Sequence, residues 1–331
     1  MRRFNQRLAR CVWLSILAAP VLGVVRISTS GAGAARIARP GYLARMSASR
    51  TAQYVALYRA LETAEPRRAP LFRDPLATTF LPRSLALAVR ASRVAALRGW
   101  VERYADRRAP GGRTSAIART AYIDDAVRAA IRDGIDQVVI LGAGFDCRAH
   151  RMPELAGARV FEVDRAETQA VKRAHVPPHP ALRYVAVDFL RDEVGAALAG
   201  AGWASSRRTL FLWEGVTNYL TEPAVVATLD WIGGTARGGR VVFTYIHAGL
   251  LDGTAAFLGG ELLLDNVRRL GEPWTFGLHP EAVAGFVAAR GLALREDLGA
   301  NEYRERYLGG DHPGYAFYRI AAAEVVGGAA S

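Results

Sequence analysis

The sequence predicts an α/β fold, a mostly parallel seven-stranded sheet with helices on both faces and a helical cap at its N-terminal side. Three observations carry this. Short, continuous apolar segments recur from residue 137 onward, and the first four end at a glycine or an acid. Helical stretches lie between them, as in Glu222–Ala236, where Val225, Leu229 and Ile232 align. From Ala52 to Gly134 the periodicity is helical with no strand between. Strands that are apolar throughout are buried on both faces, which requires helices on each side of a parallel sheet.

Taken in order, Tyr54, Leu57, Tyr58 and Leu61 share one helical face, and Pro66 and Pro70 end that segment. A second helix is expected from Ser84 to about Tyr104, and Pro110-Gly111-Gly112 breaks it. A third aligns Ile123, Val127, Ala130 and Ile131 and stops at Gly134. Strands are expected at Gln137–Leu141, Arg159–Val163, Tyr184–Val187, Thr209–Trp213 and Arg240–Ile246. Pro280–Arg290 is a helix stopped by Gly291, and Leu292–Leu298 and Tyr315–Ala322 are the last two strands. The expected organisation is an extension over 1–45, a helical cap over 46–134 and a sheet domain over 135–331. A lid insertion is expected around 247–280.

Composition narrows the function. The chain has 331 residues, of which 51% are hydrophobic and 22% charged, which excludes disorder and collagen-like sequence. Two cysteines, Cys11 and Cys147, form no disulfide framework, and no Cys/His cluster has metal spacing, so no metal is expected. The net charge of +12 is concentrated in residues 1–45, which carry eight arginines and no acid. The rest is mildly basic, so no nucleic-acid partner is expected. The same extension has a basic start and an apolar run from Cys11 to Val25 broken by Pro20, a pattern shared with secretory signals. Met46, just before the helical periodicity begins, marks an alternative start, and activity is expected to survive deletion of 1–45. No apolar run is long enough to span a bilayer, so no stable membrane association is expected.

In open α/β sheets, ligands sit beyond the carboxyl ends of the strands. Here those ends hold Gly142-Ala143-Gly144, Asp164, Asp188 and Glu214. Asp164 lies 22 residues after Gly142, the spacing at which an acid meets ribose hydroxyls. A dinucleotide fingerprint needs a glycine where Cys147 stands, and Asp146 would face a docked pyrophosphate at a helix N-terminus. An acidic crevice flanked by Phe145, Phe189 and Trp213 suits a phosphate-free adenosyl sulfonium, S-adenosyl-L-methionine, better than NAD.

The chain resembles the leucine carboxyl methyltransferase-like group of class I S-adenosylmethionine-dependent methyltransferases, abundant in actinobacteria, whose fold is Rossmann-like. The segments that carry the resemblance are Ser49-Arg50-Thr51-Ala52 with Arg59-Ala60, Phe72-Arg73-Asp74-Pro75-Leu76-Ala77, and Arg119-Thr120 with Tyr122-Ile123-Asp124. Leu141 to Arg148, Phe161 to Asp164, Val187-Asp188-Phe189 and Trp213 to Leu220 complete the series. The resemblance implies that Arg119 meets the methionine carboxylate, Gly142 lines the cofactor's path and Asp164 binds the ribose. It further places Asp188 and Phe189 at the adenine and Glu214 near the amino group. It implies methylation of a carboxylate or hydroxyl oxygen on a small-molecule acceptor in the cytoplasm, where the donor is made.

No catalytic base is assigned. His247 and His279 are candidates for lining the acceptor pocket, with Tyr219 and Tyr245 nearby. His175 and His179 flank Pro177-Pro178 in a loop without metal-binding company, and Cys147 is a small packing residue rather than a nucleophile. The alternatives are an NAD(P)-dependent oxidoreductase on the same kind of sheet, or a non-catalytic adenosyl-ligand binding protein.

Overall fold

The computed structural model describes residues 50–327. The expectations for the extension 1–45 therefore lie outside the described residues. The cap consists of α1 (Arg50–Thr63), α2 (Arg83–Ser92), α3 (Ala95–Arg108) and α4 (Gly112–Arg132).

The single helix expected from Ser84 to Tyr104 is two helices. The Ser92 hydroxyl donates back to the Val89 carbonyl at 2.7 Å, and Val94 is extended at φ −88° and ψ 115°. Hydroxyls that bond their own helix weaken its continuation. The new direction lets buried Arg98 donate to the Leu61 carbonyl at 2.7 Å and pair with Glu65 at 3.0 Å. Propensity alone could not register that tertiary demand.

After the cap the chain alternates: β1 (Gln137–Leu141), α5 (Arg148–Arg151), β2 (Arg159–Asp164), α6 (Ala166–Arg173), β3 (Leu182–Ala186), α7 (Val194–Gly200) and β4 (Thr209–Trp213). It continues through α8 (Glu222–Gly233), β5 (Arg240–Ile246), α9 (Ala248–Leu251), α10 (Gly260–Arg269), α11 (Pro280–Ala288), β6 (Leu292–Gly299), α12 (Ala300–Leu308) and β7 (Tyr318–Val325). The seven strands lie in the order β3-β2-β1-β4-β5-β7-β6. The first five are mutually parallel, with Gln137 opposite both Arg159 and Thr209. β7 runs antiparallel between β5 and β6.

Four strands differ in their bounds from expectation, β2 and β6 only by ending one residue later. β3 starts and ends earlier than Tyr184–Val187. β7 begins at Tyr318 rather than Tyr315, because Tyr315 sits in a turn at φ +58° that accepts the Tyr318 N–H at 3.0 Å. Pairing with β5, from Arg240 opposite Glu324 to Ile246 opposite Tyr318, then fixes the strand.

Side-chain alternation feeds two cores. Val138, Ile140, Leu210 and Leu212 pack against α4 and α12, through residues such as Tyr122 and Tyr303. Val139, Leu141, Phe211 and Trp213 pack on the other side against Leu198, Leu229 and Val287 of α7, α8 and α11. Both faces are covered, as the unbroken apolar runs require. The chain leaves β1 toward β2 and β3, then returns to place β4 on β1's other side. That reversal opens a crevice at the carboxyl ends of β1 and β4.

Candidate functional site

The turn after β1 is built on glycine. Gly142 has φ +65° and Gly144 φ +48°, a region that side chains with a Cβ rarely adopt. A Cβ on Gly142 would fall 2.3 Å from the Val216 Cγ2, inside any tolerated contact. The Gly142 N–H donates to the Val163 carbonyl at 2.7 Å, and the Gly144 N–H donates to Asp164 Oδ2 at 2.6 Å. The other Asp164 oxygen accepts from the Arg165 N–H at 2.7 Å. Asp164 and the glycine turn are thus one rigid unit, and this half-buried carboxylate has no ion-pair partner among the described residues.

Across the crevice, α4 presents Arg119. Its Nε donates to Glu214 Oε1 at 2.7 Å, its guanidinium lies 4.6 Å from the centre of the Tyr318 ring, and its terminal amino groups have no hydrogen-bond partner among the described residues. Glu214 Oε2 accepts from Arg148 at 3.0 Å. Burial alone would raise the Glu214 pKa, but Arg119 and Arg148 outweigh it and hold the carboxyl below its ordinary range. Arg148 also binds Asp146 and Asp124, and Arg151 reaches Asp124 at 2.7 Å. The result is a buried chain of alternating charges from Arg119 to Arg151. Removing one partner from such a chain strands the next charge.

The structure corrects the electrostatic expectation for Asp146. Its carboxylate turns inward to Arg148 and accepts that residue's N–H at 2.7 Å. α5 is a single turn of four residues, so there is no substantial helix N-terminus to hold a pyrophosphate. Acidity at the strand ends therefore rests on Asp164 and Asp188, because Asp146 and Glu214 are paired with arginines.

Asp188 and Phe189 follow β3. The Asp188 Oδ1 accepts from the Leu190 N–H at 3.1 Å, and Arg191 lies 3.8 Å from the other oxygen. Phe189 is half-buried, with its ring centre 6.3 Å from that of fully buried Trp213. Phe145, expected to flank the crevice, stacks at 4.4 Å on Phe80 in the cap core instead. Tyr245 is likewise no pocket residue, because it is buried and its hydroxyl donates to Asp297 at 2.9 Å and accepts from Arg319 at 2.8 Å. Burial pushes the Cys147 thiol up to about 12, in keeping with a packing role.

A model of the leucine carboxyl methyltransferase family matches residues 52–233. The chain belongs to the leucine carboxyl methyltransferase family. It is 38% identical over 214 residues to a protein from Frankia alni named as a candidate S-adenosyl-L-methionine-dependent methyltransferase, covering 61% of this chain and 70% of that one. A similarly named protein from Streptomyces coelicolor is 36% identical over 230 residues, covering 62% and 75%. Among solved structures, a candidate methyltransferase from Thermobifida fusca superposes with a TM-score of 0.53 at 16% identity, over 80% of this chain and 97% of that one. That likeness is one of fold.

In this methyltransferase, sequence reasoning found the residues at the strand ends and missed the network behind them. Arg148 and Asp124 lie inside segments that carry the family resemblance, and Arg151 lies outside them. A charged residue on an otherwise buried face, as Asp124 is on α4, was the available signal. The 247–280 segment meets α1 where the Thr51 hydroxyl donates to Glu272 at 2.9 Å. Tyr219, Trp274 and Tyr318 stand next to one another, with ring centres 6.3 and 6.4 Å from Trp274, and Tyr318 carries the wall to Arg119. Among the described residues, no group of His, Cys, Asp and Glu could hold a metal ion.

Proposed function

We propose that this methyltransferase moves the methyl group of S-adenosyl-L-methionine to an oxygen of a small molecule, a carboxylate or a hydroxyl. The observation that carries the donor assignment is the Asp164 carboxylate, locked to the glycine turn, opposite an arginine with unused donors. A ribose offers hydroxyl donors to Asp164, and an amino acid's carboxylate offers acceptors to Arg119. The chemistry of this donor set fits. Glu214 would face the ammonium, Asp188 and Phe189 the adenine, and Gly142 would leave room along the cofactor's path.

When bound, the donor would supply a methyl carbon on a sulfonium: the acceptor oxygen's electron pair would form the O–CH3 bond as the C–S bond breaks, S-adenosylhomocysteine would leave, and a hydroxyl acceptor would lose its proton to water. The protein's part is positioning and exclusion of water. Arg119 and Glu214 fix one end, Asp164 the other, and Tyr219, Trp274 and Tyr318 wall the space beside Arg119. His247 bears on the acceptor. Its Nδ1 accepts from the Gly249 N–H at 3.0 Å, so the neutral ring carries its proton on Nε2. Burial and nearby His279 hold its pKa below the ordinary value, so the ring is neutral, and its one lone-pair nitrogen is already engaged by Gly249. That supports a carboxylate acceptor, which needs no base.

Among the described residues, no helix is long and apolar enough to cross a membrane. The donor is made in the cytoplasm, and the reading places the enzyme there. The test is titration with S-adenosylhomocysteine and with NAD, followed by turnover against a panel of carboxylic acids and phenols. Tight NAD binding without S-adenosylhomocysteine binding would overturn the proposal, and donor binding without turnover would favour the non-catalytic alternative.

A further inference from the structure

Six cationic side chains are among the buried residues of the described chain: Arg59, Arg98, Arg119, Arg148, Lys172 and Arg304. The first five contact a carboxylate. Arg304 does not. Its Nε donates to the Ala300 carbonyl at 2.9 Å, and its terminal nitrogens donate to the Gly314 carbonyl and the Asn301 side-chain oxygen. All three acceptors are neutral, and two of the five guanidinium N–H groups remain unused. Burial pushes this guanidinium below its ordinary range, with Tyr303 and Asp311 offsetting only part. A buried cation without a counter-ion is costly, and the cost falls when an anion is supplied.

Arg304 forms part of the wall of a surface cavity of about 300 Å³, lined also by Leu258, Glu305, Asp311 and His312. The Nε2 of His312 is buried and has no hydrogen-bond partner among the described residues. The N–H groups of Gly310 and His312 donate to nothing among the described residues. The cavity is therefore lined by a buried cation, a second side-chain nitrogen and residues with free backbone donors. Its rim carries the exposed carboxylates of Glu305 and Asp311, which disfavour a multiply charged anion and suit a neighbouring ammonium.

We propose that this cavity binds a small amino acid through its carboxylate, at a site separate from the donor crevice. None of Arg119, Gly142, Asp164, Asp188, Phe189 or Glu214 lines it. A volume near 300 Å³ lies at the small end of the range for ligand pockets, which matches a ligand of this size.

The test is calorimetric titration of the full chain with L-alanine, propionate, ethylamine and inorganic phosphate. S-adenosylhomocysteine binding is measured first, so failure of the donor reading is seen on its own. Where it binds, the titrations use protein saturated with it, which blocks the donor's own amino-acid site. The expected result is saturable binding of L-alanine, weaker binding of propionate and none of ethylamine. His312→Ala and Arg304→Lys should each weaken L-alanine by about tenfold or more. Circular dichroism checks both variants, and if Arg304→Lys unfolds, His312→Ala decides. No saturable L-alanine binding, phosphate bound more tightly than L-alanine, or unchanged affinity in the folded variants would overturn the proposal.

Discussion

Replacing Gly142 by alanine tests whether the glycine turn is as constrained as its geometry implies. The backbone stands at φ +65°, where a Cβ costs about 1–2 kcal/mol. The added methyl would meet the Val216 Cγ2 at 2.3 Å, and relieving that overlap costs about 1–3 kcal/mol more. Against these, a stiffer unfolded chain returns about 0.4–1 kcal/mol. The net loss should be about 2–4 kcal/mol, read from urea denaturation followed by circular dichroism. Val216→Ala removes the clash but not the backbone strain. In a double-mutant cycle it should therefore recover about 1–3 kcal/mol of coupling and no more. S-adenosylhomocysteine affinity should fall with Gly142→Ala, because the Gly144 N–H to Asp164 bond depends on the same turn. A stability change within about 0.5 kcal/mol of the parent, or no coupling to Val216, would refute the reasoning.

Other substitutions probe the site and its foundations. Asp164→Asn should weaken S-adenosylhomocysteine about tenfold or more in calorimetry and lower Tm, since one of the two oxygens that accept the Gly144 and Arg165 N–H groups becomes an amide donor. Arg119→Lys keeps the charge but loses both the Nε–H that holds Glu214 and the planar pair of unused terminal donors, so donor affinity should drop while the chain stays folded by circular dichroism. Lys172→Met strands buried Glu162, now 2.5 Å from the ammonium, and should cost about 3–5 kcal/mol in urea, much of it recovered in the Glu162→Gln/Lys172→Met double variant. Burial outweighs Lys172 and raises the Glu162 pKa from 4.5 to about 7. The folded state therefore holds that proton more tightly than the unfolded one. The stabilisation is complete below about pH 4.5 and is lost as pH rises through about 7, and Glu162→Gln should remove that slope from a stability–pH profile.

The sheet was legible because β1 and β4 are apolar at every position, a pattern that only burial on both faces explains. The strand-end residues were legible for a related reason, since glycines and acids interrupt those apolar runs where the chain turns out of the sheet. The break at Arg93-Val94 was not legible, because what turns the chain there is the burial of Arg98 against Leu61 and Glu65, far back along the chain. Nor was the displacement of β7, which is set by its register on β5.

By itself the sequence determined the α/β class, the order of most elements and the placing of Gly142, Asp164 and Glu214 at strand ends. Those features follow from local periodicity and from residue types that tolerate only certain backbone positions. Only the tertiary structure decided that Asp146 faces Arg148, that Glu214 is shared between Arg119 and Arg148, and that Phe145 belongs to the cap. Charge pairing and ring stacking act through space over a few ångströms, and the partners lie 95 residues apart for Arg119 and Glu214. No pattern along the chain encodes which of several nearby arginines a buried carboxylate will meet, because that choice is made by the packing of helices on the sheet.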